Sequence, residues 1–77
     1  MASPLVSSRR AIKALAKAGF LVAGRKGSHI KLKKKVDRRV FVVIVPHHAE
    51  LARGTLKSIL RQANMTREEF LRLLEEV

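Results

Sequence analysis

The strictest constraint on the fold of this 77-residue chain is an alternation of apolar and polar side chains across residues 28–34. In an extended strand, Ile30 and Leu32 point to one side of the sheet. The polar residues that point to the other side are His29, Lys31 and Lys33. Such a strand requires a layer packed against its apolar side and leaves its polar side open to solvent.

Two more short strands flank this one. Residues 20–24 are β-prone and precede a turn at Lys26-Gly27, and a second polar turn covers residues 35–38. Residues 39–45 form an apolar, β-branched run that Pro46 stops. Three short strands joined by tight turns predict an antiparallel meander.

The segment before the strands has helical periodicity. Ser7 or Ser8 can cap a helix over residues 9–18, and Gly19 suits the left-handed position after its end. The apolar face of this helix is predicted to contain Ile12, Leu15, Ala16 and Gly19.

The segment after the strands predicts two further helices. A loop over residues 46–54 leads to Thr55, which can cap a helix ending at Asn64. Thr66 and Glu69 have the spacing of a capping box for a last helix. The apolar stripe of that helix contains Phe70, Leu71, Leu73 and Leu74.

The predicted order is therefore α-β-β-β-α-α in a single domain over residues 1–77, with residues 1–6 as a flexible tail. Helices on one face of a three-stranded antiparallel sheet make a two-layer α+β fold. Because Ile30 and Leu32 face the helices, His29 is expected on the uncovered side of the sheet.

The charge of the chain is strongly asymmetric. Residues 1–45 hold twelve Lys and Arg but one acid, Asp37, whereas residues 46–77 hold five of each; the net charge is +11. A basic half beside a neutral half predicts a surface directed at a polyanion. Nucleic acid is the first candidate, an acidic protein the second, and a solvated face without a ligand remains an alternative.

Several classes of function and location are disfavoured by composition. Without cysteine the chain has no disulfide or thiolate metal site, and the apolar run at residues 40–45 is too short to cross a membrane. The N-terminus lacks the apolar core of a signal peptide. We therefore expect a cytoplasmic protein without membrane contacts.

Familiar catalytic groupings are missing from the sequence. The histidines are His29, His47 and His48, and they form no cluster with acids at metal-ligand spacing. There is no catalytic carboxylate pair and no glycine-rich phosphate loop before a helix. We expect neither a metal nor a small-molecule cofactor.

What remains is His29 among basic side chains. RNA breaks when its 2′-hydroxyl loses a proton and attacks the adjacent phosphorus, and histidine is suited to moving that proton near neutral pH. Arg25, Lys26 and Lys31 could stabilise the charge on phosphorus. From residue types alone, His29 could equally be an ordinary surface side chain.

Short motifs along the whole chain carry a resemblance to a known family. They are A-G-F at 18–20, K-G-S-H at 26–29, V-P-H-H at 45–48, G-T-L-x-x-I-L-R-Q-A at 54–63 and E-F-L-x-x-L at 69–74. Together they resemble the HicA toxins of toxin–antitoxin pairs. The chain departs at Asn64, where members often have Gly, and both residues tolerate the left-handed conformation.

The resemblance implies a fold like a double-stranded RNA-binding domain and a metal-independent mRNA interferase. It assigns catalysis to His29 of the G-S-H motif and neutralisation to a HicB-type antitoxin that covers the active face. His48 matches a recurrent histidine of the family, and we expect it to fix its loop by hydrogen bonding and not to act as a second catalytic group, which is the alternative. The residues expected to contact RNA are Arg25, Lys26, Ser28, Lys31 and Lys33.

Two other functions remain open at this point. The first is a non-catalytic RNA-binding module of the same shape, in which the basic residues bind phosphate and His29 is incidental. The second is a DNA-binding or ribosome-associated basic protein.

Overall fold

A computed structural model describes residues 6–77, and over this range three helices pack on one three-stranded antiparallel sheet. The element order α-β-β-β-α-α and the α+β class are those predicted from the sequence. The elements are α1 (Ser8–Lys17), β1 (Leu21–Lys26), β2 (His29–Val36), β3 (Arg39–Pro46), α2 (Arg53–Ala63) and α3 (Arg67–Glu75).

The sheet has the order β1-β2-β3, so the alternating strand β2 lies in the centre. Two-residue turns join the strands, and the first residue of each turn has a positive φ: +58° at Gly27 and +55° at Asp37. Gly adopts this left-handed region freely, and Asp is among the few other residues that tolerate it. The turns fix the register, in which Lys26 pairs with His29 and Val36 with Arg39.

The predicted helix signals operate at both ends of the chain. The Ser7 side chain accepts a hydrogen bond from the Arg10 N–H and caps α1. Thr66 and Glu69 form the predicted capping box of α3. Asn64 ends α2 in the left-handed conformation, at φ 54°.

The end of α1 buries an aromatic side chain. Gly19 has φ +103°, and the Phe20 N–H donates to the Leu15 carbonyl at 3.0 Å, as in a Schellman motif. The predicted apolar face was wrong at Ala16 and Gly19, which are exposed. The buried residues of α1 are instead Ser8, Ala11, Ala14 and Leu15, so the buried face is shifted by one residue toward the N-terminus.

The start of α2 differs from the prediction. The helix begins at Arg53, its N-cap is Ala52, and no side chain caps it, so Thr55 does not have the predicted capping role. The preceding Leu51 is buried, and its N–H donates to the Val6 carbonyl at 2.7 Å. Tertiary contacts at Leu51 therefore set the start of the helix, although Thr55, three positions after the N-cap Ala52, is a better capping residue.

One hydrophobic core fills the space between the two layers. The predicted tail does not extend to Val6, whose side chain is buried in this core; residues 1–5 lie outside the described range. Within residues 6–77, no helix is long and apolar enough to span a bilayer. The core residues are Val6, Ala11, Ala14, Leu15, Phe20, Ile30, Leu32, Val43, Val45, Leu51, Ile59, Ala63, Phe70 and Leu74.

Candidate functional site on the open face of the sheet

His29 is the first residue of β2 and lies on the face of the sheet that no helix covers. Its neighbours Ile30 and Leu32 are buried against the helices, whereas His29 itself is exposed. The antiparallel register pairs His29 with Lys26 on one side and with Pro46 on the other. Paired residues share a face, so the Lys26 ammonium projects from the same side as the imidazole.

Three lysines continue from His29 along the same face of β2. Lys31, Lys33 and Lys35 are all exposed and, at alternate positions, point the same way as His29. We call these three residues the lysine row. No carboxylate within residues 6–77 lies within 4 Å of their ammonium groups. The one ion pair of this range joins Lys17 to Glu76, at 3.9 Å.

An open depression of about 730 Å³ lies at the His29 end of this face. Its floor and rim come from both strands of the first hairpin and from Ile44 of β3. The residues that line it are Ala23, Gly24, Arg25, Lys26, Gly27, Ser28, His29, Lys31 and Ile44.

The strand β1 is irregular where it lines the depression. The register shifts between Val22 and Gly24, which leaves Ala23 as an extra residue and places Gly24 across from Lys31. A Cβ at Gly24 would have no atom within 4 Å. Gly24 therefore leaves open the space beside Lys31 that a side chain would fill.

The hairpin that carries His29 is held by backbone contacts to the segment after β3. The His47 N–H donates to the Ser28 carbonyl at 2.6 Å. The buried Ser8 hydroxyl accepts a hydrogen bond from the His48 N–H at 2.6 Å and lies 2.9 Å from the His48 carbonyl. The Ser8 side chain therefore fixes the loop by bonding to the backbone of His48, while the His47 and His48 side chains remain exposed.

A side chain of α2 holds the outer edge of the sheet at the same level. The Ile44 N–H donates to the Gln62 side-chain oxygen at 2.8 Å, and the Gln62 amide donates to the Ser58 hydroxyl. This bond satisfies a backbone donor on an edge strand. It also fixes Ile44, which borders the depression.

The residues predicted to contact RNA do not all share one face. His29, Lys26, Lys31 and Lys33 lie together on the open side. Arg25 pairs with Ile30, so its side chain leaves the strand on the helix side, although the residue borders the depression. Ser28 occupies the turn itself.

Lys34 is a useful contrast on the same strand. It points to the helix side, where its ammonium lies 5.7 Å from the centre of the Phe20 ring. It thus contributes a cation–π contact to the edge of the core and not a charge to the open face.

The helix side offers a different kind of cavity. An apolar groove of about 320 Å³ lies between α2 and α3, and no histidine or carboxylate lines it. Elsewhere in residues 6–77, no three His, Cys, Asp or Glu side chains are grouped as metal ligands would be. Of these two cavities, only the depression on the open face is lined by a histidine, His29.

Sequence reasoning missed three residues that shape this surface: Gly24, Gln62 and Ile44. The register could have been counted outward from the turn at 37–38, which pairs Lys31 with Ile44. No sequence signal predicts the bulge at Ala23, because it depends on how β1 pairs with β2. The hydrogen bond between Gln62 and Ile44 has no sequence signal either, because it depends on how α2 packs against β3.

The structure defines the class as a small basic two-layer α+β domain, with an exposed histidine at the end of a lysine row on its uncovered face. The model of a protein family described as the HicA toxin of bacterial toxin–antitoxin systems matches residues 8–65, or 58 of 77 residues. The chain belongs to this family of toxins. No curated protein sequence matches it.

Proposed function

We propose that the chain is a metal-independent endoribonuclease that cleaves mRNA as the toxin of its toxin–antitoxin pair. The observation that carries this proposal is the exposure of His29 on the open face, across from Lys26 and at the end of the lysine row. Membership in the HicA family supports it. A substrate of this kind makes the cytoplasm its site of action.

The proposed reaction uses the 2′-hydroxyl of RNA as the nucleophile. The His29 imidazole takes the proton from this hydroxyl, and the 2′ oxygen forms a bond to the adjacent phosphorus. The bond from phosphorus to the 5′ oxygen breaks, and that oxygen takes up a proton from solvent, which reaches the whole exposed surface. The products are a 2′,3′-cyclic phosphate and a 5′-hydroxyl end.

The cations around His29 have the second role in this scheme. The Lys26 and Lys31 ammonium groups flank His29 on the open face and can hold the scissile phosphate there. As charge builds up on the phosphoryl oxygens, fixed cations stabilise the transition state more than the ground state. Lys33 extends the contact to a neighbouring phosphate. Arg25 in β1 and Ser28 in the turn border the depression.

The experiment compares native protein with His29→Ala on a single-stranded RNA, a DNA of the same sequence, and RNA with excess chelator. We expect the native protein to cut RNA and leave a cyclic phosphate, with or without chelator, and to leave DNA intact. The His29→Ala variant should bind RNA without cutting it. Cleavage by the variant, or dependence on a divalent ion, would contradict the proposal.

A non-catalytic RNA-binding module is the second candidate. The lysine row favours it, because these side chains would bind phosphate even if His29 moved no proton. Equal binding by native protein and His29→Ala, with no cleavage by either, would establish this function instead.

The proposed protein partner is a HicB-type antitoxin. The open face presents cations without carboxylate partners among residues 6–77, so an antitoxin that places acidic side chains near His29 would be complementary in charge. Addition of the antitoxin should abolish cleavage, and a salt-dependent inhibition constant would support an electrostatic contact.

A further inference from the structure

The open face of β3 is apolar where solvent contact would favour polar residues. Val40, Val42 and Ile44 point away from the helices, with 55%, 36% and 36% of their surfaces exposed. We call these three residues the apolar row. Single exposed hydrophobic residues are ordinary, but an aligned row of them beside a row of cations indicates a binding surface.

The strand register sets the apolar row directly beside the lysine row. The three cross-strand pairs are Val40 with Lys35, Val42 with Lys33, and Ile44 with Lys31. Each pair joins one cation and one aliphatic side chain on the same face. His29 stands at the end of the lysine row, and Ile44 also borders the depression around it.

We propose that these two rows bind an unpaired RNA strand lying along β2 and β3, with its phosphates over the lysine row and its bases over the apolar row. The inference rests on the proposed function, because it starts from a scissile phosphate at His29. It adds that the substrate must be single-stranded and that bases flanking the cut contact the protein.

The spacing of the lysines suits a nucleic-acid backbone. Alternate residues of a strand lie about 6.6 Å apart, which is close to the separation of successive phosphates in an extended single strand. From His29 to Lys35 the strand therefore spans about 20 Å. This length accommodates about three nucleotides beyond the cut.

The apolar row distinguishes a single strand from a duplex. A duplex presents phosphates and sugars to a flat surface and keeps its bases stacked inside, so it would leave the apolar row against polar groups. An unpaired strand can turn its bases toward the protein, and apolar contact with base faces does not depend on sequence.

An acidic protein could also cover two such rows. The position of His29 favours RNA, because a proton-transfer group in line with the lysine row must reach a sugar–phosphate backbone to act. A second copy of the chain is disfavoured, since two molecules of net charge +11 repel each other.

Binding to uncleavable strands tests the proposal independently of catalysis. The probes are a 2′-O-methyl RNA single strand, the same strand with three consecutive abasic positions, and the corresponding duplex. We expect native protein to bind the intact strand tighter than the duplex and about five-fold or more tighter than the abasic strand, as loss of about 1 kcal/mol of base contact implies.

Matched variants locate the contact. Val42→Ser should weaken binding of the intact strand several-fold, and Val42→Phe should tighten it about five-fold through stacking. The control is Val36→Ser, which changes a valine of similar exposure (40%) on the other face of the sheet and should leave binding unchanged. Circular dichroism and thermal unfolding verify that all three variants fold.

Three results would overturn the proposal. They are equal binding of the intact and abasic strands, equal effects of Val42→Ser and Val36→Ser, or a Val42→Ser change that weakens only inhibition by the antitoxin; the last would make the apolar row a protein interface. Failure of the proposed function appears separately, as a native protein that does not cut an unmodified strand.

Discussion

The eight residues of β2 divide between two faces of the sheet that differ in burial. On one face, Ile30 and Leu32 are buried, and Lys34 lies against the ring of Phe20. On the other, His29 and the lysine row meet no helix and no carboxylate of the described chain. Stability should therefore depend on the first face and activity on the second, although the residues alternate along one strand.

The largest expected effect breaks the buried face. Leu32→Ala removes a fully buried side chain and should lower the free energy of unfolding by about 2–5 kcal/mol. The adjacent Lys33→Ala should change it by less than about 0.5 kcal/mol, because the side chain is exposed. Urea titrations of both variants measure the difference, and equal losses would contradict the two-face account.

The next largest effect comes from a substitution that fills part of the open face without disturbing the core. Gly24→Val places a side chain in the empty space beside Lys31. We expect RNA cleavage to fall roughly ten-fold or more through displacement of the substrate, while thermal stability stays equal or rises, since Val favours strands. Gly54→Ala, which changes a glycine in α2, is the control and should retain full cleavage.

A smaller effect concerns the helix layer alone. Thr66→Ala removes the N-cap of α3 and should cost about 1 kcal/mol of stability at neutral pH. Cleavage per folded molecule should not change, because α3 does not contact the open face. A loss of activity at full folding would show that the two layers are coupled.

The same cap has a dependence on pH. Hydrogen bonds from the Thr66 backbone N–H and then from its side chain lower the pKa of Glu69 below its usual 4.5. A carboxyl with a lowered pKa stabilises the folded state above its unfolded pKa, and this contribution is lost as the pH falls through the folded value. The stability gap between native protein and Glu69→Gln should thus narrow below about pH 4.5.

The smallest expected effect distinguishes two lysines of equal charge. Lys33→Gln should reduce the slope of log binding constant against log salt by about 0.7 for a single strand, as loss of one phosphate contact requires. Lys34→Gln removes the same charge from the other face and should leave the slope unchanged. Equal slopes for the two variants would mean that net charge, and not the lysine row, binds RNA.

Local signals in the sequence were sufficient to predict most of the fold. The alternation around Leu32, the caps at Ser7 and Thr66, and the left-handed Asn64 are short-range features, and the structure contains each of them. The prediction failed at Ala16, since α1 buries Ala14 and Leu15 instead, and at Thr55, since the helix begins at Arg53, directly after the buried Leu51 and the N-cap Ala52.

The site was only partly predictable for a related reason. The exposure of His29 follows from strand periodicity alone, as does its place among the lysines. The bulge at Ala23, which lines the depression, has no signal in the pattern of β1. The register of β3 against β2, and with it the apolar row, can be counted from the turn at 37–38 but not from the pattern of either strand alone.

The most direct measurement separates the rate of cleavage from the strength of binding in His29→Ala. Single-turnover cleavage of RNA and the Kd for an uncleavable 2′-O-methyl strand should be determined for native protein and variant in the same buffer. If His29 transfers the proton, the rate falls by about 10²-fold or more while the Kd changes little. An unchanged rate, or a loss explained entirely by weaker binding, would contradict the catalytic role of the open face.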